Sequence, residues 1–374
     1  MGQKAWRFCN ASGRWAGFGP YYAMFPVNFA REVVESMTTN DGSVLDPFCG
    51  RGTAPFVAQA TGRKSLGVDQ NPVAWVFSKV KTSPEPSVDR LVNRLGEIKK
   101  DVQQNDKKAE NEFQEWAWST DVLGFLNSAK RNLDWRANVT DRTLMGFVLV
   151  SLHAKIGDGI SNQMHKARAL GPLYAVRWWK SRNLHPPDLN PFYYIEKRID
   201  WRYKHGIISQ YRKAEIMYGD SSNVLAEYHR MKFDLLFTSP PYFSVTDYRQ
   251  DSWIRLWLLN EGPPLPDWKK DTQISRRESY AQMMGTVFST VKNLLKKNSV
   301  IWVRTDAREF TRKTTEGILR SLWPKRVIYQ RFDIPSKDTQ TAHFGNQYNK
   351  SCEVDFLIPG RKNLPLSLSS WQQL

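Results

Sequence analysis

Two stretches carry residue types that could do chemistry. Thr238-Ser239-Pro240-Pro241-Tyr242 sets a hydroxyl, two prolyl carbonyls and an aromatic ring side by side after the apolar run Phe233-Asp234-Leu235-Leu236-Phe237. That run reads as a buried parallel strand. Neither proline can donate a ladder hydrogen bond, so pairing stops there, and Ser239 is held extended by the proline that follows it. A stiff bend at the carboxyl end of a strand is where open α/β sheets bind ligands. A strand stop with a packed tyrosine would look the same in isolation, so the rest of the chain has to decide.

The second stretch is Asp46-Pro47-Phe48-Cys49-Gly50-Arg51-Gly52-Thr53. It follows a short strand, Ser43-Val44-Leu45-Asp46, and precedes a helix from Ala54 to Ala60. Gly50 and Gly52 let backbone approach a ligand at a helix N-terminus. Gly62-Arg63-Lys64 closes the helix, and Ser65-Leu66-Gly67-Val68-Asp69 is a second strand. An acid at the end of that strand, Asp69, is placed to bind ribose hydroxyls. The turn is not a dinucleotide fingerprint, because its third glycine would fall at Pro55, and it lacks the glycine spacing of a phosphate loop. An adenosine ligand without pyrophosphate fits better, and S-adenosylmethionine is such a ligand. A third acid, Asp220, follows the strand Glu215-Ile216-Met217-Tyr218, where it can accept from an adenine amino group or cap the next helix.

The elements that must position these stretches form a β-turn-α-β unit followed by further strands, so the expected fold is α/β with a mostly parallel twisted sheet. Phe25-Pro26 leads into a helical stripe over 27–37. Asn71 to Lys81 reads as the crossover helix, and 83–87 as a linker. From there to 214 the pattern changes to a largely helical insertion, with a charged helix over 89–115 and a more apolar one over 144–156. Beyond Tyr242 the pattern gives helices over 251–259, 279–295 and 314–322, and strands over 299–303, 326–332 and 353–358. The expected domains are a catalytic domain of residues 1–82 and 215–360, an inserted region of residues 83–214, and a tail of residues 361–374.

The chain carries a formal charge of +17 with 15 tryptophans, 14 tyrosines and 19 phenylalanines, which points to a polyanionic partner whose bases can stack. Basic and aromatic residues alternate in the insertion: Lys166 and Arg168, then Arg177, Trp178, Lys180 and Arg182. These are the candidate nucleic-acid contacts, against the plainer alternative of a solvated basic surface. No apolar run is long enough to span a membrane. The opening residues lack the apolar core of a signal peptide, and the three cysteines are scattered. The expected compartment is therefore a reducing one, prokaryotic cytoplasm or nucleoid. No metal is expected, since the histidines (His153, His165, His185 and His343 among them) are not at ligand spacing.

With these motifs in order, the chain resembles the S-adenosylmethionine-dependent DNA amino-methyltransferases, the cytosine-N4 and adenine-N6 group. Asp46 to Thr53 resembles the cofactor-loop motif. Phe25-Pro26 resembles the accessory motif closing over the methionine end of the cofactor. Asp69 and Asp220 occupy the ribose and adenine positions, and Thr238 to Tyr242 resembles the catalytic motif. The resemblance implies a Rossmann-like methyltransferase fold, S-adenosyl-L-methionine as cofactor, and a cofactor site of Phe25, Pro26, Asp46, Pro47, Phe48, Cys49, Gly50, Gly52, Thr53, Asp69, Asp220 and Thr238. It implies catalytic roles for Ser239, Pro240, Pro241 and Tyr242. Ser-Pro-Pro-Tyr is the usual cytosine-N4 form, while adenine-N6 enzymes carry Asp or Asn first. The implied substrate is a flipped-out base in double-stranded DNA, with Tyr242 stacking on it. A restriction-modification role would add a cognate restriction endonuclease as partner, and the enzyme would be a monomer or homodimer. The insertion between the second and third strands departs from the usual family layout.

Direct displacement at a sulfonium needs no enzyme nucleophile, only an amino nitrogen whose lone pair is localised. Ser239 Oγ and the Pro240 carbonyl can accept the two amino hydrogens and favour a pyramidal nitrogen. Methylation at carbon 5 would need a cysteine nucleophile, and no Pro-Cys pair occurs. Adenine-N6 methylation is the nearest rival, followed by RNA or tRNA base methylation and by a non-catalytic nucleic-acid-binding protein on the same scaffold.

Overall fold

A computed structural model describes residues 10–21, 25–153, 158–164, 169–208, 214–244, 248–262, 276–333, 352–360 and 370–374. Its strands are β1 (Ser43–Asp46), β2 (Lys64–Asp69), β3 (Ala214–Tyr218), β4 (Phe233–Thr238), β5 (Leu295–Asp306), β6 (Tyr329–Asp333), β7 (Glu353–Ile358) and β8 (Gln372–Gln373). They form one sheet in the order β3-β2-β1-β4-β5-β7-β6-β8. The first five in that order pair in parallel, and β7 runs antiparallel between β5 and β6. This is a Rossmann-like α/β fold. The strand order reverses between β1 and β4, and such a switch point opens a crevice at the carboxyl ends of the strands.

Alternate residues of each strand serve the two faces, as a sheet covered on both sides requires. Leu45, Leu66, Leu236, Ile301 and Phe356 pack with α11 (Ser221–Ala226), α14 (Arg277–Leu294) and α15 (Glu309–Leu322). Val44, Leu235, Phe237, Trp302 and Leu357 face the other way. There they meet α2 (Val27–Met37), α3 (Thr53–Ala60), α4 (Pro72–Thr82) and, continuously with these, the inserted helices. Those are α5 (Val88–Lys100), α6 (Glu112–Ala117), α7 (Thr120–Asn132), α8 (Val139–Ser151), α9 (Pro172–Ser181) and α10 (Pro191–Tyr203). Short helices α1 (Ala11–Ala16), α12 (Tyr248–Asp251) and α13 (Trp253–Leu258) complete this side. Every residue of α4 except Lys79 is buried, because the insertion covers its outer face.

Several expected elements differ. The helix expected over 89–115 is broken in two places. Asp106 Oδ2 accepts from Gln103 N–H at 2.8 Å, starting a 3-10 turn at Gln104–Lys107, and Asn111 caps α6 through Gln114 N–H at 3.1 Å. Short polar side chains that bond their own backbone outcompete the helix here. Helix α7 had no clear signal, and α8 begins earlier than expected because Asn138 caps it, accepting from Asp141 N–H at 3.1 Å. The helix expected over 251–259 divides at Ser252 into α12 and α13. Strand β5 extends well beyond 299–303, since β4 pairs with one of its edges and β7 with the other. The tail contributes β8, an antiparallel edge strand on β6.

Candidate active site

The turn after β1 is fixed before any ligand arrives. Cys49 N–H donates to the Val68 carbonyl at 3.0 Å, hooking the turn onto β2. Gly50 has φ +51 and Gly52 φ +74, both left-handed. Ser78 on α4 donates to the Gly50 carbonyl at 2.6 Å, and a Cβ on Gly52 would lie 2.8 Å from Ser78 Oγ. Gly52 is also the N-cap of α3. Arg51 is turned inward, donating to the Gly19 carbonyl at 3.0 Å. Asp69 accepts from Gly50 N–H at 2.8 Å and Asn71 N–H at 2.8 Å, so each oxygen keeps a lone pair for a further donor.

The two sequence motifs meet at the switch point. Thr238, the last residue of β4, donates to Asp46 Oδ1 at 2.7 Å, and Phe48 N–H reaches the same oxygen at 3.2 Å. Burial pushes the Asp46 carboxyl up to about 7, against which those two hydrogen bonds act; the neighbouring Asp69 adds to the rise. Burial likewise pushes Asp69 up to about 6. Cys49 is driven well above its usual range by burial, with both acids contributing, so it is a packed thiol. Phe25 stacks on Phe237 with ring centroids 4.1 Å apart and an interplanar angle of 14°, which ties the start of α2 to the strand leading into Thr238. Pro26 is the N-cap residue of α2, and Thr53 opens α3. Pro47 is buried, its carbonyl accepting from Ser221 Oγ, and Phe48 is half-buried against the α14 face. Asp220 caps α11 through Ser222 N–H at 2.8 Å.

These acceptors fit the cofactor inferred from sequence. Two carboxyl groups stand at the turn while Arg51 is directed away from it, an arrangement that repels a pyrophosphate and favours a nucleoside bearing positive charge.

The bend holds a feature that the sequence did not disclose. Ser239 Oγ lies 3.4 Å from Tyr242 Oη, and Tyr242 donates to Glu353 Oε1 at 3.1 Å. The Pro241 carbonyl accepts from Tyr280 Oη at 3.0 Å, and Pro240 is buried. Tyr242 is 9% exposed, so the open stacking platform expected of it is not present; its ring is packed and its hydroxyl committed to the network. Glu353 Oε2 is in turn 3.0 Å from Arg304, which also binds Asp355 at 2.7 Å and Asp333 at 2.8 Å and lies 3.9 Å over the Phe29 ring. Burial alone would lower the Arg304 pKa, but the three carboxylates outweigh it and hold the guanidinium charged. Acids at alternating positions of a buried strand, Glu353 and Asp355, were the available sequence signal.

Of the expected nucleic-acid contacts, Lys166 and Arg168 lie outside the described residues. Arg177, Lys180 and Arg182 are exposed on and just after α9, and Trp178 is half-buried with Arg182 5.0 Å above its ring. Lys180 pairs with Glu112. Leu173 and Tyr174, exposed on the same helix, extend that surface. The segment leading into α9 is tied to the helices that follow the bend: Ala169 N–H donates to the Asp251 carbonyl at 2.9 Å and Trp253 Nε1 to the Leu170 carbonyl at 3.0 Å. Among the described residues no three His, Cys, Asp or Glu side chains cluster to hold a metal ion, and no helix is long and apolar enough to cross a membrane.

Residues 3–79 match a family model for N6/N4 DNA methylases, described as DNA methylase. The match includes the cofactor-type turn and Asp69 and ends well before Ser239. No curated protein matches the chain. Solved structures to which the chain shows some likeness include an rRNA methylase from Streptococcus thermophilus, 8% identical over 91% of this chain and 99% of that one, TM-score 0.34. TrmN from Thermus thermophilus is 9% identical over 93% of this chain and 52% of that one, TM-score 0.35. A TehB-like SAM-dependent methyltransferase from Corynebacterium glutamicum is 8% identical over 88% and 86%, TM-score 0.30. The strand order β3-β2-β1-β4-β5 with β7 antiparallel beside β5 by itself makes the fold Rossmann-like.

Proposed function

We propose that this chain is an S-adenosylmethionine-dependent methyltransferase acting on the exocyclic amino nitrogen of a base in double-stranded DNA, with cytosine N4 the favoured target. The observation that carries the reading is the 2.7 Å bond between Thr238 and Asp46, which joins the Ser-Pro-Pro-Tyr bend to the glycine turn at one sheet edge. The family match over residues 3–79 supports the same class. S-adenosylmethionine, when bound, supplies an electrophilic methyl group on a positively charged sulfur. Asp69 would accept ribose hydroxyls with the lone pairs left by Gly50 and Asn71. Asp46 would favour the positive charge of the methionine end. Ser239 Oγ would accept one amino hydrogen and the Pro240 carbonyl the other, localising the nitrogen lone pair. Arg177 and Arg182 would contact phosphates, with Lys180 contributing less because Glu112 offsets it. Serine rather than aspartate at position 239 favours cytosine over adenine.

The test is modification-sensitive sequencing of genomic DNA from a host expressing the protein. N4-methylcytosine at a fixed sequence, absent with Ser239→Ala, is the expected result. N6-methyladenine would move the target to adenine, and unmodified DNA would refute the DNA reading. A cognate restriction endonuclease encoded with the protein would fit a restriction-modification role.

A further inference from the structure

Methylating an amino nitrogen forms an N–C bond from the nitrogen lone pair, and the electrons of the broken C–S bond stay on sulfur. The nitrogen then carries one proton too many, and that proton needs an acceptor. The clamp described above accepts hydrogen bonds, but a serine hydroxyl is too weak a base to keep a proton. The hydroxyl is not isolated, however. Ser239 Oγ donates to Tyr242 Oη at 3.4 Å, and Tyr242 Oη donates to Glu353 Oε1 at 3.1 Å. Both donors point the same way, from the bend towards a carboxylate on β7.

Resting on the amino-methylation reading, we propose that Ser239, Tyr242 and Glu353 form a proton relay that carries the displaced amino proton to Glu353. In the balanced step the amino N–H is taken by Ser239 Oγ as the Ser239 proton passes to Tyr242 Oη and the Tyr242 proton passes to Glu353 Oε1. Ser239 and Tyr242 end neutral, Glu353 ends protonated, and bulk water deprotonates it between turnovers. Glu353 acts through Tyr242 and does not touch the substrate. Its surroundings suit the task. From β5, Arg304 stands 3.0 Å from Oε2 and Asp306 pairs with Glu353 across the sheet; from β6, Asp333 is its neighbour; Asp355 lies two residues along its own strand. Burial raises the Glu353 pKa, while Arg304 and the Tyr242 hydrogen bond oppose the rise, and Asp355 and Asp333 add to it. The carboxylate is thus a stronger proton acceptor than one in water, yet remains anchored by a cation.

Two variants test the relay. Glu353→Gln keeps a hydrogen-bond acceptor but cannot take the proton. Tyr242→Phe cuts the chain while leaving the Arg304–Glu353 pair intact, and so guards against a folding defect in the first. In single-turnover methylation each should be slower by about a hundredfold, the lower range for removing a general base. The wild-type rate should fall with acidification as Glu353 protonates, and this limb should vanish in Glu353→Gln. The double variant should be no slower than either single one, because both interrupt one path. Cofactor binding by calorimetry should be unchanged. Infrared titration of the ligand-free protein should show a carboxyl titrating above the usual glutamate range, missing in Glu353→Gln and shifted higher in Tyr242→Phe. Wild-type rates and an unchanged pH limb in Glu353→Gln would overturn the relay while leaving the methyltransferase reading standing. Absence of wild-type turnover on both DNA and RNA would overturn that reading and the relay with it.

Discussion

The acid at the end of β1 should cost the ligand-free protein stability, and Asp46→Asn should recover it. Asp46 is 2% exposed, and its oxygen accepts from Thr238 at 2.7 Å and Phe48 at 3.2 Å. Asparagine keeps an acceptor at that position and places an N–H donor where the protonated acid would carry its O–H. It therefore mimics the protonated carboxyl. Burial raises the group from its ordinary 3.8 to about 7 in the folded chain. Below the lower value both folded and unfolded chains hold the proton, and the acid costs nothing. As pH rises between the two values only the unfolded chain loses its proton freely, so folding becomes progressively less favourable, and the cost is complete above about pH 7. A displacement of that size corresponds to about 4 kcal/mol at pH 8, and local relaxation should reduce the observed gain to about 2 kcal/mol. Denaturant unfolding of the wild type and Asp46→Asn at about pH 4.5 and about pH 8 measures it directly. The variant should be more stable at the higher pH, and the gain at the lower should shrink to about a quarter of that. Calorimetry with S-adenosylmethionine should show weaker binding over the same range. An equal effect at both pH values, or a destabilised variant at pH 8, would refute the burial argument.

Three further outcomes follow from contacts described above. Gly52→Ala should lose about 1–3 kcal/mol, because φ +74 disfavours a side chain and the new Cβ would meet Ser78 Oγ at 2.8 Å; thermal unfolding reads this. Lys81→Met should stabilise by at least about 1 kcal/mol, since the Lys81 amine is fully buried with no hydrogen-bond partner among the described residues. Burial lowers its pKa, with Arg51 and Arg202 adding to the shift, so the gain should grow as pH falls from about 10 to about 6, as denaturation at the two values would show. Arg304→Met should lose about 3–5 kcal/mol in denaturant unfolding, because Asp355, Glu353 and Asp333 would be left without their shared cation.

The strands of the sheet and its ligand edge were legible because they depend on local pattern, whereas the strand order that makes the switch point was not. Strands β1 and β7 fall where short apolar runs put them, and the meeting of Asp46 with Thr238 follows from parallel topology. The relay was hidden because it depends on partners distant in sequence. Glu353 faces Tyr242 only once β7 is inserted antiparallel beside β5, and nothing near residue 353 announces that register. The inserted helices were blurred for a different reason. Their boundaries are set by single side chains, Asp106, Asn111 and Asn138, whose capping bonds compete with a helical pattern that otherwise runs on. The sequence left the packing of Tyr242 open between a packed ring and a stacking one, since an aromatic after two prolines carries no mark of whether its ring faces solvent or core.

The covering of α4 bears on how this protein can be re-engineered. A recognition region that is to be exchanged as a cassette must carry its own interior. The region between β2 and β3 does not: Trp135 packs on Trp75 at 5.9 Å, Arg142 lies 5.2 Å over the same ring, and Gly146 sits so close to Val80 that an added Cβ would come within 3.0 Å of it. A chimera cut at the ends of the insertion would leave the Trp75 ring and the Val80 side chain without the residues that cover them. On the proposed reading of α9 as a DNA-contacting surface, retargeting is better sought there, where Leu173, Tyr174 and Arg177 are exposed and can change without opening the interior.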